Sequence, residues 1–313
     1  MTDGRLCGCS EVNESRGVVD DYKDVVDELY RALLSTSPVP FNNDRSYVTY
    51  YLGDYELTSD TFIERCSIVV DTGHHRDSKI FVDDAKITAR GKKLHGVRFL
   101  IRIGDKFLDT KRGRDEFCQI MAHEIQHVYR AYNIILSDNS SANAEESVRM
   151  ERYGRAVRWM YGGQNIEKYV STIYYLTDRN EISSEANKLY EYIRQNEINR
   201  LNIVYHRDKL PLYPLIATLN DSIGVLDKSI KDENFVNKVG QVVKNIVGDE
   251  KSTPSRMYMK FRTRLIDSAM FANRKYKQTI SKAFADFDRG VTSPNPSEMA
   301  KNPPRLNHSK KQE

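Results

Sequence analysis

Residues 123–127 read His-Glu-Ile-Gln-His, and the meaning of that stretch decides how the rest of the chain is read. In an α-helix, residues four apart lie on one face, a single turn from each other. His123 and His127 can therefore aim both imidazoles at one metal ion. Glu124 sits roughly 100° further round the helix. From there its carboxylate reaches a water at the ion without taking a coordination position, and can accept that water's proton as it attacks a carbonyl. The flanking residues support a helix. Phe117, Met121, Ile125, Val128 and Tyr132 fall on one stripe opposite the two histidines, giving the segment a core face and a polar face. The helix is expected over 114–133, after a strand at 97–103 and a connection through 104–113.

Two histidines do not complete a catalytic zinc site, which takes a third protein ligand and leaves a position for water. Downstream stands Asn180-Glu181-Ile182-Ser183-Ser184-Glu185-Ala186-Asn187. It carries two carboxylates one helical turn apart, on a helix whose core side holds Ile182, Leu189 and Ile193. In one arrangement Glu181 binds zinc while Glu185 accepts a hydrogen bond from a ligating imidazole and fixes its tautomer. In the other Glu185 is the ligand. Helix geometry alone does not separate them.

On these residues the chain resembles the gluzincin group of zincin metallopeptidases, in which His-Glu-x-x-His is followed by a second helix bearing a glutamate ligand and an acidic partner. The resemblance covers about 67–198 and is carried by His123, Glu124, His127 and the Glu181/Glu185 pair. It implies an α+β, zincin-like fold: a small twisted β-sheet, then the active-site helix, then a mostly helical C-terminal half. It also implies one Zn2+ per chain, a protein or peptide substrate, and a source inside a cell or on a phage or mobile element. Glu185-Ala186-Asn187 is similar to the Glu-Ala-Asn of the ImmA/IrrE type, which would make Glu185 the ligand; that type has glycine before the second histidine, where Gln126 stands. The metzincin pattern is absent, because 128–133 contains neither the third histidine nor the glycine it requires. Neither a Gly-x-Ser-x-Gly elbow nor a phosphate loop occurs.

Working outward, 18–35 has apolar residues at helical spacing and ends at Ser37-Pro38-Val39-Pro40, where proline breaks the ladder. Strands are expected at 67–70, 79–82 and 97–103, all rich in Ile, Val and Phe. The last of these is either an edge that pairs with an extended substrate or an internal strand. Further helices are expected at 144–160, 166–176, 181–198, 215–230, 234–247 and 256–287. The organisation implied is an N-terminal helix and linker (1–44), the metallopeptidase-like unit (45–213), a helical basic region (214–290) and a disordered tail (291–313), the last from its prolines and polar residues.

Hydrophobic residues make up 39% of the 313, and charged residues 29%, which is the composition of a folded globular chain. There is neither an apolar run of membrane-spanning length nor a secretory leader, so the cytoplasm is the expected location. Four cysteines are too few for a disulfide scaffold. Cys7 and Cys9 are an incomplete metal pair, and Cys66 and Cys118 read as buried thiols. From Lys251 onward 14 basic residues face 5 acidic ones, whereas the preceding 250 residues hold 34 and 39. The basic helix at 256–287 therefore suits an anionic partner, such as nucleic acid, an acidic protein or lipid, or else it covers the catalytic unit with its basic side in water. This supplies the alternative function: a non-catalytic nucleic-acid-binding or particle-associated structural protein on a zincin-like scaffold. For a donor to the transition-state oxyanion, the sequence offers His206, Tyr190 and Tyr174. His74, His75 and His95 are expected in surface turns.

Overall fold

The computed structural model describes residues 18–41, 44–58, 61–71, 79–88, 91–102, 110–135 and 140–289. It is mixed α+β and mostly helical. The expectations for Cys7, Cys9, His74, His75 and the 291–313 tail lie outside these residues.

The first helix, α1 (Val18–Ser35), turns Val25, Val26, Leu29, Tyr30 and Leu33 into the core. Pro38 and Pro40 end it, and the chain enters a five-stranded sheet in the order β1-β2-β3-β5-β4. These strands are β1 (Val39–Phe41), β2 (Asp44–Thr58), β3 (Thr61–Asp71), β4 (Lys79–Thr88) and β5 (Gly91–Arg102). Pro40 is tolerated because β1 is an edge strand. All neighbours are antiparallel except β3 and β5, which run parallel. Val97, Phe99 and Ile101 on β5 recur with the period of two that gives a strand one buried face, and Cys66, Ile68 and Val70 on β3 join the same core, while Ser67 and Val69 of β3 are buried on its other face.

One open choice is decided here and one expectation is corrected. The strand expected at 97–103 is internal, hydrogen-bonded to β3 on one side and β4 on the other, so it presents no edge to a substrate. The outer strand on that side is β4. His95 lies within β5, opposite Glu64 and Asp84, and not in a turn.

The helix carrying the motif, α2 (Lys111–Ile135), packs on α1, β4 and β5. After it come α3 (Ser140–Gly162), α4 (Ile166–Leu176), α5 (Arg179–Gln195), the single-turn α6 (Ile203–His206), α7 (Tyr213–Ser229), α8 (Glu233–Val247) and α9 (Pro254–Asp288). The α5 helix lies between α2 and α9. One hydrophobic core runs from Val25 to Ala283 through all these layers, Cys66 and Cys118 included. On α9, Met257, Tyr258, Phe261, Leu265 and Phe271 are buried while Met259 and Met270 are exposed. No helix of the described residues is long and apolar enough to cross a membrane.

A buried ionic cluster fixes how α1, α2 and α5 meet. Arg194 on α5 donates from both terminal nitrogens to Asp27 on α1, at 3.1 and 3.2 Å. Arg114 on α2 donates to the same carboxylate at 3.1 Å. Arg194 also donates to Glu191 at 2.9 Å. Beside this cluster the Gln119 amide of α2 donates to Gln195 Oε1 of α5 at 2.8 Å.

Candidate metal centre

The α2 stripe is built as its spacing requires. Phe117, Met121, Ile125 and Val128 are wholly buried, which anchors the helix and leaves the face bearing His123 and His127 turned toward α5. On α5, Ile182, Leu189 and Ile193 fill the core. Asp178 caps the first turn of α5, accepting from the Asn180 N–H at 2.9 Å, and is itself ion-paired to Arg149 of α3. Glu181 follows in that turn, where the positive end of the helix dipole favours a carboxylate. A further bond ties the two helices together: the Asn187 amide donates to Gln126 Oε1 at 3.1 Å.

The result is a convergence. His123 Nε2 and His127 Nε2 are 3.2 Å apart. Glu181 Oε2 is 3.8 Å from the first and Oε1 is 3.7 Å from the second. These three side chains can offer donor atoms to one ion. Donors about 2.0–2.1 Å from a tetrahedral zinc stand roughly 3.3–3.4 Å from one another, and the three observed separations bracket that value. The donor set of two imidazoles and one carboxylate is that of a catalytic zinc with an open position. Charge agrees. Glu124, Glu181 and Glu185 gather in this interface, and among the described residues the Lys or Arg side chain paired with them is Lys188, 3.5 Å from Glu185. A divalent cation offsets what Lys188 leaves uncompensated. The residues present therefore fit zinc.

The other ring nitrogen of His123, Nδ1, is 3.2 Å from Glu185 Oε1. Glu185 thus lies behind the imidazole, on the side away from Glu181. Burial works against its charge, but the contacts with His123 and Lys188 outweigh that and hold its carboxyl down at about 2. Burial likewise disfavours the charged His123, yet Glu185, and then the charges of Glu124 and Glu181, turn the net shift upward. Glu124 is 6% exposed. Burial pushes it up to about 7; His123 pulls it down and Glu181 adds to the rise. Glu181 is also shifted up, by burial first, with His123 and Tyr175 opposing.

Sequence reasoning missed two groups. The Tyr175 hydroxyl donates to Glu181 Oε2 at 2.8 Å and the Tyr153 hydroxyl reaches Oε1 at 3.4 Å. Their rings lie against each other, with centroids 5.1 Å apart. They come from α4 and α3, at no spacing that refers to α5, so no local pattern could have revealed them. Orienting bonds of this kind typically change metal affinity 10–100-fold. Tyr175→Phe should accordingly weaken zinc binding by about tenfold, read by competition with a chromogenic chelator.

The residues suggested as oxyanion donors are placed elsewhere. Tyr190 is buried and donates to Asp286 of α9. Tyr174 is buried against Phe261, with the Arg264 guanidinium over its ring. His206 is half-exposed at the end of α6, and none of the described hydrogen bonds or ion pairs joins it to the cluster.

No family model, curated protein or solved structure matches this chain.

Proposed function

We propose that this chain is a zinc-dependent peptidase in which His123, His127 and Glu181 hold the ion and Glu124 is the general base. The observation that carries the reading is the meeting of those three donors across α2 and α5, with a buried carboxyl one residue from the first ligand. When bound, zinc supplies the Lewis acidity that lowers the pKa of water and polarises a carbonyl. The chain's own residues do the rest.

Glu124 takes a proton from the attacking water as its oxygen bonds to the scissile carbonyl carbon. It then returns that proton to the departing amine as the C–N bond breaks. Both tasks suit a carboxyl whose proton affinity burial has moved close to neutrality. Glu185 Oε1 stands 3.2 Å from His123 Nδ1, where its charge favours the ring orientation that directs Nε2 at the centre, and Tyr175 orients the Glu181 carboxylate. The edge strand β4 supports a peptide substrate. It lies against α2, and its outer side has no strand partner among the described residues. An extended chain laid along it would gain main-chain hydrogen bonds that do not depend on sequence.

Metal analysis of four purified chains tests the site. Wild type should carry about one zinc per chain. His123→Ala and Glu181→Ala should carry almost none, because two remaining ligands do not hold the ion. Glu185→Ala should keep zinc with affinity lowered about 10–100-fold. A wild type that emerges metal-free from zinc-replete medium rejects the proposal. Loss of zinc in Glu185→Ala with retention in Glu181→Ala makes Glu185 the ligand instead.

A further inference from the structure

Next to the recess at Tyr153 and Tyr175 lies a half-open cleft of about 1050 Å³. Its walls come from α3, the α4–α5 junction, the C-terminal end of α8 and one face of α9. The size is that of a small-molecule site, and Val243, Val247, Met257 and Phe261 give it an apolar floor. It shares Arg149, Arg152, Tyr174, Asp178 and Arg264 with a small inner recess that ends at Tyr153 and Tyr175.

The charges in this cleft are unequal in commitment. Asp178 is engaged by Arg149, and Asp249 by Lys260 and Ser252. The other acids, Glu250 and Asp267, are exposed at the rim. Two guanidinia inside have no carboxylate. Arg152 makes no ion pair among the described residues, and its Nε is buried without a hydrogen-bond partner. Arg264 is held over the Tyr174 ring, its guanidinium carbon 4.4 Å from the centroid, by a bond from its Nε to Thr177 Oγ1 at 2.6 Å. That arrangement fixes the plane of its fork and leaves the terminal nitrogens outside any described bond. The first turn of α5 opens into the same space through Arg179 and Asn180, adding the positive end of a helix.

We infer that this cleft binds a phosphorylated small molecule, its phosphate held between Arg152 and Arg264 and its body on the apolar floor. Two planar forks, that of Arg264 already held in place, match phosphate oxygens in a way that lysines at a solvated surface do not. Most of a cleft this large would remain empty around inorganic phosphate alone, which is why the ligand has an organic body. The inference does not depend on the zinc reading, because neither guanidinium touches His123, His127 or Glu181.

The test is titration of the full chain with pyrophosphate, followed by calorimetry and by the midpoint of thermal unfolding, with sodium chloride at matched ionic strength as control. Saturable binding is expected, weakened at least tenfold in Arg152→Gln and in Arg264→Gln. The chain bearing His123→Ala, which removes the metal centre and leaves the cleft intact, should bind as tightly as wild type. Should a glutamine variant fail to fold by circular dichroism, the lysine variants decide. They keep the charge and lose the fork, and should bind several-fold more weakly. A response equalled by chloride, an unchanged affinity in the folded arginine variants, or binding that vanishes with His123 overturns the site. The last outcome would place the anion on the metal and leave the zinc proposal standing.

Discussion

Glu124→Gln should retain the full zinc complement and lower turnover by about 10²–10⁴-fold, the range a positioned acid–base group contributes. The amide keeps the shape of the side chain, and the ligands on either side of it, His123 and His127, are untouched. What disappears is the capacity to accept a proton. Stability should not fall. Burial above all, with Glu181 adding to it and His123 opposing, has already raised the Glu124 carboxyl to about 7, so in the absence of metal the ionised form is disfavoured by its surroundings. A neutral isostere removes that cost. The readout is paired: zinc per chain by elemental analysis, and new termini generated from a mixed peptide library by mass spectrometry. Activity within tenfold of wild type would remove Glu124 from the mechanism. Loss of zinc would instead show that the carboxylate helps to hold the ion.

The legibility of this site in the sequence follows from distance along the chain. His123, Glu124 and His127 share one helix, and so do Glu181 and Glu185; within a helix, spacing is geometry. Which of the two glutamates faces the histidines depends on how α5 is rotated against α2. That rotation is set by Asn187 bonding to Gln126 and by Ile182, Leu189 and Ile193 seeking the core. The sequence left the choice open, and the structure gathers Glu181 with both Nε2 atoms while Glu185 meets Nδ1. Tyr153 and Tyr175 were invisible for the same reason, since they belong to other helices.

The sheet was legible in part. Strands β3, β4 and β5 announce themselves by runs of Ile, Val and Phe. Strand β2 does not, because it is rich in tyrosine and polar residues. It also breaks its alternation around Gly53, whose φ of 73° permits the register shift there. The order of strands was beyond local reading altogether. A parallel β3–β5 pair places β5 inside the sheet and moves the edge to β4, and no single segment encodes that. The helices fared better because their apolar stripes extend over many turns: α4 runs over Ile166–Leu176 as its periodicity indicates, and α9 begins at Pro254, two residues before the expected start.

The second large effect lies away from the chemistry, at Asp27. Its carboxylate accepts from Arg114 and Arg194, Arg194 also donates to Glu191, and Asp115, 20% exposed, stands 3.6 Å from Arg114, so the buried guanidinia are compensated in a space largely closed to water. Their side-chain exposures are 3% for Arg114, 4% for Arg194, 7% for Asp27 and none for Glu191. Asp27→Ala leaves Arg194 with Glu191 alone and Arg114 with only Asp115, 3.6 Å away. Removing one partner of a buried pair generally costs about 3–5 kcal/mol, far more than a surface pair, because the remaining charge keeps its desolvation penalty and loses its compensation. Urea unfolding should show that loss as a lowered midpoint at unchanged slope.

The pH dependence supplies a second signature. Burial, with Asp27 adding to it and Arg194 opposing, raises Glu191 from the ordinary 4.5 to about 7. Folding therefore favours its protonated form. The stability this gives is complete below the unfolded value and is lost as pH rises through about 7. Deleting Asp27 removes a charge that raises Glu191, so the variant's stability should decline less steeply between those two values. A destabilisation under about 1 kcal/mol, the level of an exposed pair, would mean that water reaches this cluster and that α1 is not held to α2 and α5 by it.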